Sequence, residues 1–364
     1  MLKIVTKFLL SIITGANAVT ILLLLATGYS DRIDPVNHPM LACIGMAFPL
    51  LLLANLLFLL LWLCVKWRRM WIPVIGFALA YVPIGTYIPL RVVSQPPQDA
   101  LLVVSYNVAG FDARRNPDAL DSICAYLKRL QPDIVCLQED MGVGEIKPFE
   151  RLAELFDYND TVHVNSVKQT YINAIGMHSR FPILKHEVIE YGSDTNGSVA
   201  FFLLVDGDTV IVVNNHLEST HLTPDERNRY KEVLKGDMET DSARKETRLL
   251  VNKISERMAE RAPQALAVHS YVEAHSRYPI IVCGDFNDTP ISYARRTIAK
   301  GLTDCFVESG SGLGLSYNQK GFYFRIDHMM CSSHFIPIRC EIDSKMDASD
   351  HYPLISWLKM VDKP

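Results

Sequence analysis

The sequence lacks any CxxC pair, so its eight scattered cysteines offer no cysteine-rich zinc site. It lacks internal repeats and low-complexity tracts, which excludes a solenoid or a compositionally biased linker array. It also lacks an excess of positive charge: the formal net charge is −4. The first 97 residues hold seven Lys and Arg against two Asp and Glu, leaving 29 basic and 38 acidic residues in the remainder. That remainder therefore lacks the broad basic surface on which nonspecific duplex binding depends, although a local basic strip stays compatible with it. Two stretches that look like ion or phosphate loops each lack their decisive residues. Asp285-Phe286-Asn287-Asp288-Thr289 begins like a calcium loop, but position six is Pro290 and position twelve is Arg296, where that loop needs Gly and Glu. Gly310-Ser311-Gly312-Leu313-Gly314 has neither the lysine nor the following helix of a phosphate loop, and reads as a turn.

Long hydrophobic runs are missing after residue 90 and crowded before it. They cover residues 8–29, 41–65 and 71–90, and each reaches the roughly 20 residues that a membrane-crossing helix needs. The first has Lys3 and Lys7 ahead of it and an AxA-like Ala16-Asn17-Ala18, as a signal peptide would. Its apolar character continues past Ala18, so we expect a retained helix. The third carries Pro73, Pro83 and Pro89 and is the weakest span. Lys3, Lys7 and the Lys66-Trp67-Arg68-Arg69 turn place the amino terminus inside by the distribution of basic residues. Three spans then put everything after Leu90 outside the cytoplasmic membrane, periplasmic or extracellular; two would leave it inside. The expected organisation is a membrane region at 1–93, a proline-rich linker at 94–99 and one further domain at 100–364. Cys136 and Cys283 are expected as buried thiols, and Cys331 and Cys340 are compatible with either a disulfide or a reduced state.

In the last domain, strand-like runs lie at 101–107, 133–139, 173–179, 199–206, 209–217, 279–286, 322–330 and 353–358. Asp206-Gly207-Asp208 joins two of them with a hairpin signal. Helical stretches are expected at 117–130, with Asn116 as cap, and at 291–300. Between Ala243 and His275 a charged amphipathic helix is expected, broken or kinked at Pro263, with Leu249, Leu250, Ile254, Met258 and Leu266 on one face and no catalytic role. The pattern is mixed α/β, of the α+β kind, with packed sheets and outer helices.

Several runs end in groups that bind cations or move protons: Asn107, Glu139, Asn214, Asn215, His216, Glu218, Asp285, Asn287, Asp327, His328, Asp350 and His351. Each alone has a bland reading as a turn or core residue. In order, however, Ser105-Tyr106-Asn107-Val108, Leu137-Gln138-Glu139, His178-Ser179-Arg180-Phe181-Pro182-Ile183, Asn215-His216-Leu217, Gly284-Asp285-Phe286-Asn287-Asp288, Arg325-Ile326-Asp327-His328 and Ser349-Asp350-His351-Tyr352-Pro353 resemble the endonuclease/exonuclease/phosphatase superfamily, in a membrane-anchored bacterial type. The resemblance covers residues 100–358 and implies a four-layer αββα sandwich. It implies a metal-dependent phosphoric ester hydrolase using Mg2+, with Mn2+ as the alternative. Glu139, Asp350 and Asn107 would hold the metal; Asp285 would be the base for the attacking water, and Asn287 would place water and phosphate. His351, held by Asp327, would contact phosphate oxygens together with Asn107 and Asn287. His216 would stabilise the pentacoordinate phosphate or assist the leaving group. Ala109 stands where some members carry an acid, implying one fewer carboxylate near the metal.

The acidic domain and its tether favour a small organophosphate or a lipid headgroup over nucleic acid, with the bilayer as the other partner and no protein partner implied. A nuclease on extracytoplasmic DNA or RNA is the alternative, and a non-catalytic tethered binding module the third reading. Tyr171, Asn173, Arg180, Tyr317 and Arg325 are candidates for lining the cleft.

Overall fold

The computed structural model describes residues 2–112, 116–142, 147–164, 173–193, 195–220, 222–235, 237, 239–319 and 322–361. Tyr171 lies outside the described residues.

The amino-terminal region is built from α1 (Leu2–Gly28), α2 (Pro39–Ala42), α3 (Phe48–Val65), α4 (Trp71–Leu79) and α5 (Tyr81–Tyr87). The stretches Ile4–Arg32 and Pro39–Val65 are long and apolar enough to cross a membrane. The third run is two helices bent by 67° between Leu79 and Tyr81. The cause is local: Pro83 has no N–H for the Leu79 carbonyl four residues back, and the Tyr29 hydroxyl donates to that carbonyl instead, at 2.8 Å. Asn17, in the AxA-like triplet, is fully buried, and Trp62 Nε1 donates to its Oδ1 at 3.0 Å. The triplet is therefore part of a helix–helix contact.

The chain continues as β1 (Leu101–Asn107), α6 (Ala119–Leu130), β2 (Ile134–Gln138), α7 (Pro148–Leu152), β3 (Tyr158–His163), β4 (Ala174–Ser179), β5 (Ile183–Ile189), β6 (Gly197–Val205), β7 (Asp208–His216), α8 (Pro224–Lys235) and α9 (Thr240–Ala274). Then follow β8 (Ile280–Asp285), α10 (Tyr293–Ile298), β9 (Thr303–Asp304), α11 (Cys305–Ser309), β10 (Tyr317–Gln319), β11 (Phe322–Phe324), β12 (Asp327–Cys331), β13 (Phe335–Ile342) and β14 (Leu354–Met360). One six-stranded sheet runs β13-β14-β1-β2-β4-β3 and a second runs β5-β6-β7-β8-β12-β9, with β10 and β11 as a separate hairpin.

The period of two along each strand sorts side chains into three apolar layers. In β1, Leu101 and Val103 enter the core between the sheets, while Leu102, Val104 and Tyr106 pack outward with Ile123 and Leu127 of α6. In β8, Ile281 and Cys283 face the inter-sheet core, while Ile280 and Val282 pack outward with Ala265 and Val268 of α9. The order helix, sheet, sheet, helix is the expected four-layer sandwich. The same parity carries the strand ends: Asn107, Gln138, Asn214, His216, Asp285 and Asp327 all share the inter-sheet phase, where the two sheets meet in polar contacts beyond the apolar core.

Several local expectations need correction. The 322–330 run is two strands, because the Ser316 hydroxyl accepts from the N–H groups of Ile326 and Asp327 (both 3.1 Å) where the chain passes from the hairpin into the second sheet. Helix α6 starts at Ala119, and Asn116 Oδ1 accepts from Asp118 N (3.1 Å) in a turn before it. Helix α9 runs through Pro263 without a break, since Ala262, Ala265 and Val268 beside it are buried against the second sheet. Only Leu250, Ile254 and Met258 of its expected apolar face line the cleft; Leu249 and Leu266 are exposed. All eight cysteines are free, so Cys331 and Cys340 form no disulfide. The hairpin at Asp206-Gly207 is as expected, with both residues at positive φ (50° and 89°).

Candidate active site

Asp285 is 1% exposed and ends the central strand β8. His216 pairs with it in register from β7 and Asp327 from β12. From the other sheet, Asn107 Nδ2 donates to Asp285 Oδ2 at 3.1 Å and to Glu139 Oε1 at 3.3 Å. The close approach of β7 needs Gly284: its φ is +130°, and a Cβ there would stand 2.0 Å from the Asn215 carbonyl oxygen.

Two histidines converge on the same carboxylate oxygen. His216 Nε2 is 3.7 Å and His351 Nε2 is 3.6 Å from Asp285 Oδ2. Their remaining ring nitrogens are held differently. His351 Nδ1 is 2.8 Å from Asp327 Oδ2, a charge-assisted pair inside the protein. Burial alone would favour loss of the ring's proton, but Asp327, Asp285 and Asp350 outweigh it and raise the His351 pKa to about 10. His216 Nδ1 is 2.9 Å from Asn173 Nδ2, whose amide also donates to the Thr195 carbonyl at 2.9 Å. Because that amide nitrogen is a donor, His216 Nδ1 accepts, and the ring's proton sits on Nε2, which faces Asp285 and Glu139 (3.9 Å). Burial raises the Asp285 pKa, against the lowering pull of His351 and His216.

Asn287 is at φ 51°, outside an extended conformation, so it does not continue the strand that carries Asp285. They meet through a turn: Asn287 N donates to Asp285 Oδ1 at 2.8 Å, and Asn287 Nδ2 donates to the Leu217 carbonyl at 3.0 Å. Glu139 also leaves its strand with positive φ (55°), which turns it into the cleft. Asp350 is anchored by Gln319 Nε2 (3.1 Å), and the neighbouring Ser349 hydroxyl donates to the Asn107 carbonyl at 2.8 Å. Asn107, Glu139, His216, Asp285, Asn287, Asp350 and His351 all line one cavity of about 370 Å3. Asp327 stands behind His351.

The donor set suits a hard divalent cation, since Glu139 and Asp350 bring carboxylate oxygens to the same cavity. Asn107 is a poorer ligand than expected: its Oδ1 accepts from Ala109 N (3.0 Å), and its NH2 faces the carboxylates. Asp285, Asp327 and His351 also bring ligand-type atoms within 4.8 Å of one another. A His351 that keeps its proton has no lone pair for a metal, so this trio reads better as a proton-handling group.

Other residues were missed or misjudged. Asp112 lines the cavity beyond the turn that contains Ala109, restoring a carboxylate near the position where one was thought absent. Asp288 is 4% exposed and accepts from Arg261 Nε at 3.2 Å, while Ser292 caps α10. Arg261 also donates to the Glu218 carbonyl (2.9 Å), and Gln264 Oε1 accepts from Glu218 N (2.9 Å), so α9 holds the segment after β7. Tyr317 lines the cavity as expected, 5.0 Å from the His351 ring between centroids, and Arg227 donates to its hydroxyl at 3.1 Å. Arg325 is instead buried against the Thr86 carbonyl (2.5 Å), Arg180 is exposed beside Asp133, and Asn173 orients His216. Asn214 bridges the sheets through Gln138 (2.6 Å), Asn215 bonds the Cys283 carbonyl (2.8 Å), and His328 bonds the Asp288 carbonyl (3.0 Å). No periodicity signals these contacts, which join distant segments.

Residues 104–351 match the model of the endonuclease/exonuclease/phosphatase family, and residues 9–87 match one described as a domain of unknown function (DUF8431). A stretch of 123 residues is 27% identical to a 5'-tyrosyl-DNA phosphodiesterase of Caenorhabditis briggsae, covering 33% of each chain. A Caenorhabditis elegans protein of the same description is 27% identical over 122 residues, covering 32% of each chain. The alignment thus spans about a third of these curated relatives. Among solved structures, a humanized D. rerio TDP2 superposes with a TM-score of 0.51 at 16% identity, covering 72% of this chain and 100% of that one. An endonuclease/exonuclease/phosphatase from Beutenbergia cavernae gives 0.51 at 18% identity, with 72% of each chain covered. The human Nocturnin catalytic domain gives 0.50 at 16% identity, covering 73% and 97%. At these identities the likeness concerns the fold.

Proposed function

Because this chain belongs to the endonuclease/exonuclease/phosphatase family, we propose that it is a membrane-anchored, divalent-metal-dependent phosphoesterase that cleaves by in-line attack of water on phosphorus. The observation that carries this reading is the convergence of His216, His351 and Asn107 on Asp285, at 3.7, 3.6 and 3.1 Å. Asp285, with its pKa raised by burial, is a suitable base for a water proton. Asn287, whose N–H holds Asp285 Oδ1, fixes the direction of that carboxylate. The cationic His351 binds phosphate oxygens and stabilises charge that grows in the transition state, while the Asn107 amide holds Asp285 and Glu139 in place. His216 presents an Nε2–H that can hydrogen-bond the leaving oxygen and stabilise the charge growing on it. The new bond joins water oxygen to phosphorus and the ester P–O bond breaks; one water proton passes to Asp285 and is returned to the leaving oxygen, and the other stays on the new phosphate oxygen. Glu139 and Asp350 would hold Mg2+ or Mn2+. The bound cation would supply charge neutralisation at the phosphate.

The catalytic domain is placed outside the cytoplasmic membrane, with α1, α3 and the bent α4–α5 pair each crossing. In support, the domain touches both the segment between α1 and α3 and the end of α5. Arg296 pairs with Asp31 at 3.4 Å, and Arg325 reaches the Thr86 carbonyl. These contacts put the domain at the end opposite Lys3, Lys7 and the Lys66–Arg69 turn.

The full chain in detergent, assayed on bis-p-nitrophenyl phosphate with Mg2+, Mn2+ or EDTA, tests the chemistry. Turnover that needs the cation and vanishes in Asp285→Asn and His351→Ala is expected. Wild-type rates in either folded variant would overturn the site, and absence of turnover on any phosphoester would favour a binding module. The tyrosyl-DNA phosphodiesterase similarity supports a second reading, an end-processing nuclease. Cleavage of a 5'-tyrosyl oligonucleotide in preference to small and lipid phosphoesters would establish it.

A further inference from the structure

The cavity is chemically lopsided. One end carries the carboxylates and histidines described above. The rest is walled by Met46, Leu250, Ile254, Met258, Phe322 and Phe324. Hydrolysis of a phosphoester needs no such wall, and an apolar surface left open beside a polar site usually marks a ligand with an apolar part. Leu250, Ile254 and Met258 are four residues apart on α9 and so form one face of it. Phe322 and Phe324 come from β11. Met46 comes from the segment between α2 and α3, inside the Pro39–Val65 stretch that is long and apolar enough to cross a membrane.

This last contribution says where the wall leads. Met258 lies against the same segment, its Sδ 3.5 Å from Cys43 Sγ. The cavity is therefore completed by the membrane region, and its apolar side is continuous with the place where the helices meet the domain. Charge points the same way. Arg227 and Arg261 are the arginines among the described lining residues, and Arg261 is committed to Asp288. Beyond that pair, Asp112, Glu139, Asp285 and Asp350 line the same space. A polyanion would meet repulsion with little cationic compensation; a single phosphate carrying an alkyl chain would not.

We propose that the substrate is the phosphoester of a membrane amphiphile, with its phosphate at Asp285 and His351 and its alkyl chain on the Met46, Ile254 and Phe324 wall. The proposal rests on the phosphoesterase reading and narrows it to a substrate class.

The test uses the full chain in detergent with Mg2+ and a series of p-nitrophenyl alkyl phosphate diesters of increasing alkyl length, each below its critical micelle concentration. The expected result is a kcat/KM that rises by up to about fourfold for each methylene that reaches the wall. Ile254→Ala and Met46→Ala should flatten that rise, and Leu249→Ala, on the exposed side of α9, should keep it. Ile254→Asp serves as a stronger variant, with its thermal melt showing whether it folds; the two alanine variants decide the question if it does not. A rate independent of alkyl length, a slope unchanged in both Ile254→Ala and Met46→Ala, or a clear preference for nucleotide esters would overturn the lipid assignment while leaving the hydrolase intact. No metal-dependent release of p-nitrophenol from any member would overturn both.

Discussion

Asn173 donates to Nδ1 of His216 at 2.9 Å, and this contact decides which nitrogen of the histidine carries its proton. Asn173→Leu should leave the fold standing and lower kcat by about 10- to 100-fold, the usual range for loss of a ring-orienting partner. Asn173→Asp should be as slow, but it should also move the pH dependence upward, because a carboxylate there favours the doubly protonated ring. Steady-state pH profiles of the three proteins check this; a wild-type profile in both variants would remove Asn173 from the site.

His351 links stability to pH. Its pKa rises from 6.5 to about 10 on folding, with burial opposing and Asp327 and Asp285 raising it. Between those values the folded state holds a proton that the unfolded chain has lost. The stabilisation is therefore fully present below pH 6.5 and is lost as pH rises through about 10. Urea denaturation of wild type and His351→Gln should show a stability gap that narrows across this window. A gap that widens with pH would contradict the cationic ring.

Gly284→Ala should destabilise the protein by on the order of 3 kcal/mol, since a Cβ would sit 2.0 Å from the Asn215 carbonyl oxygen of the neighbouring strand. The Tm should fall, and residual activity should fall with it, because β7 and β8 carry His216 and Asp285. An unchanged Tm would mean that the strands can separate at no cost.

Arg261 and Asp288 are 1% and 4% exposed. Arg261→Met leaves a buried carboxylate without its cation and should cost about 3–5 kcal/mol, measured by chemical denaturation. Adding Asp288→Leu should recover a large part of that loss, because the pair as a whole is replaced by apolar volume. Equal destabilisation by the single and double variants would show that the two residues do not act together.

Much of the fold could be read along the chain. The apolar runs, the strand-like stretches at 101–107 and 279–286 and the Asp206-Gly207 turn are local, and each was placed within a few residues. The missed strands β3, β5 and β13 are those with exposed or partly exposed side chains along most of their length. All three are edge strands, whose existence depends on a distant partner more than on their own apolar pattern. Pro263 does not end the helix for a related reason: a local helix breaker is offset by tertiary burial of the turns around it.

The site divides along the same line. Along the chain, the strand ends and the order of their motifs already marked Asn107, His216, Asp285 and Asp327 as candidates for one site. Only the tertiary structure decided that they meet, because Asn107 and Asp285 are 178 positions apart and belong to different sheets. It also decided that Asn173 orients a histidine, that Asn287 turns back onto Asp285, and that Met46 of the amino-terminal apolar helices lines the same cavity as Asp285. Such contacts depend on how whole layers stack, and stacking is the sum of many distant packings that no local stretch of sequence encodes.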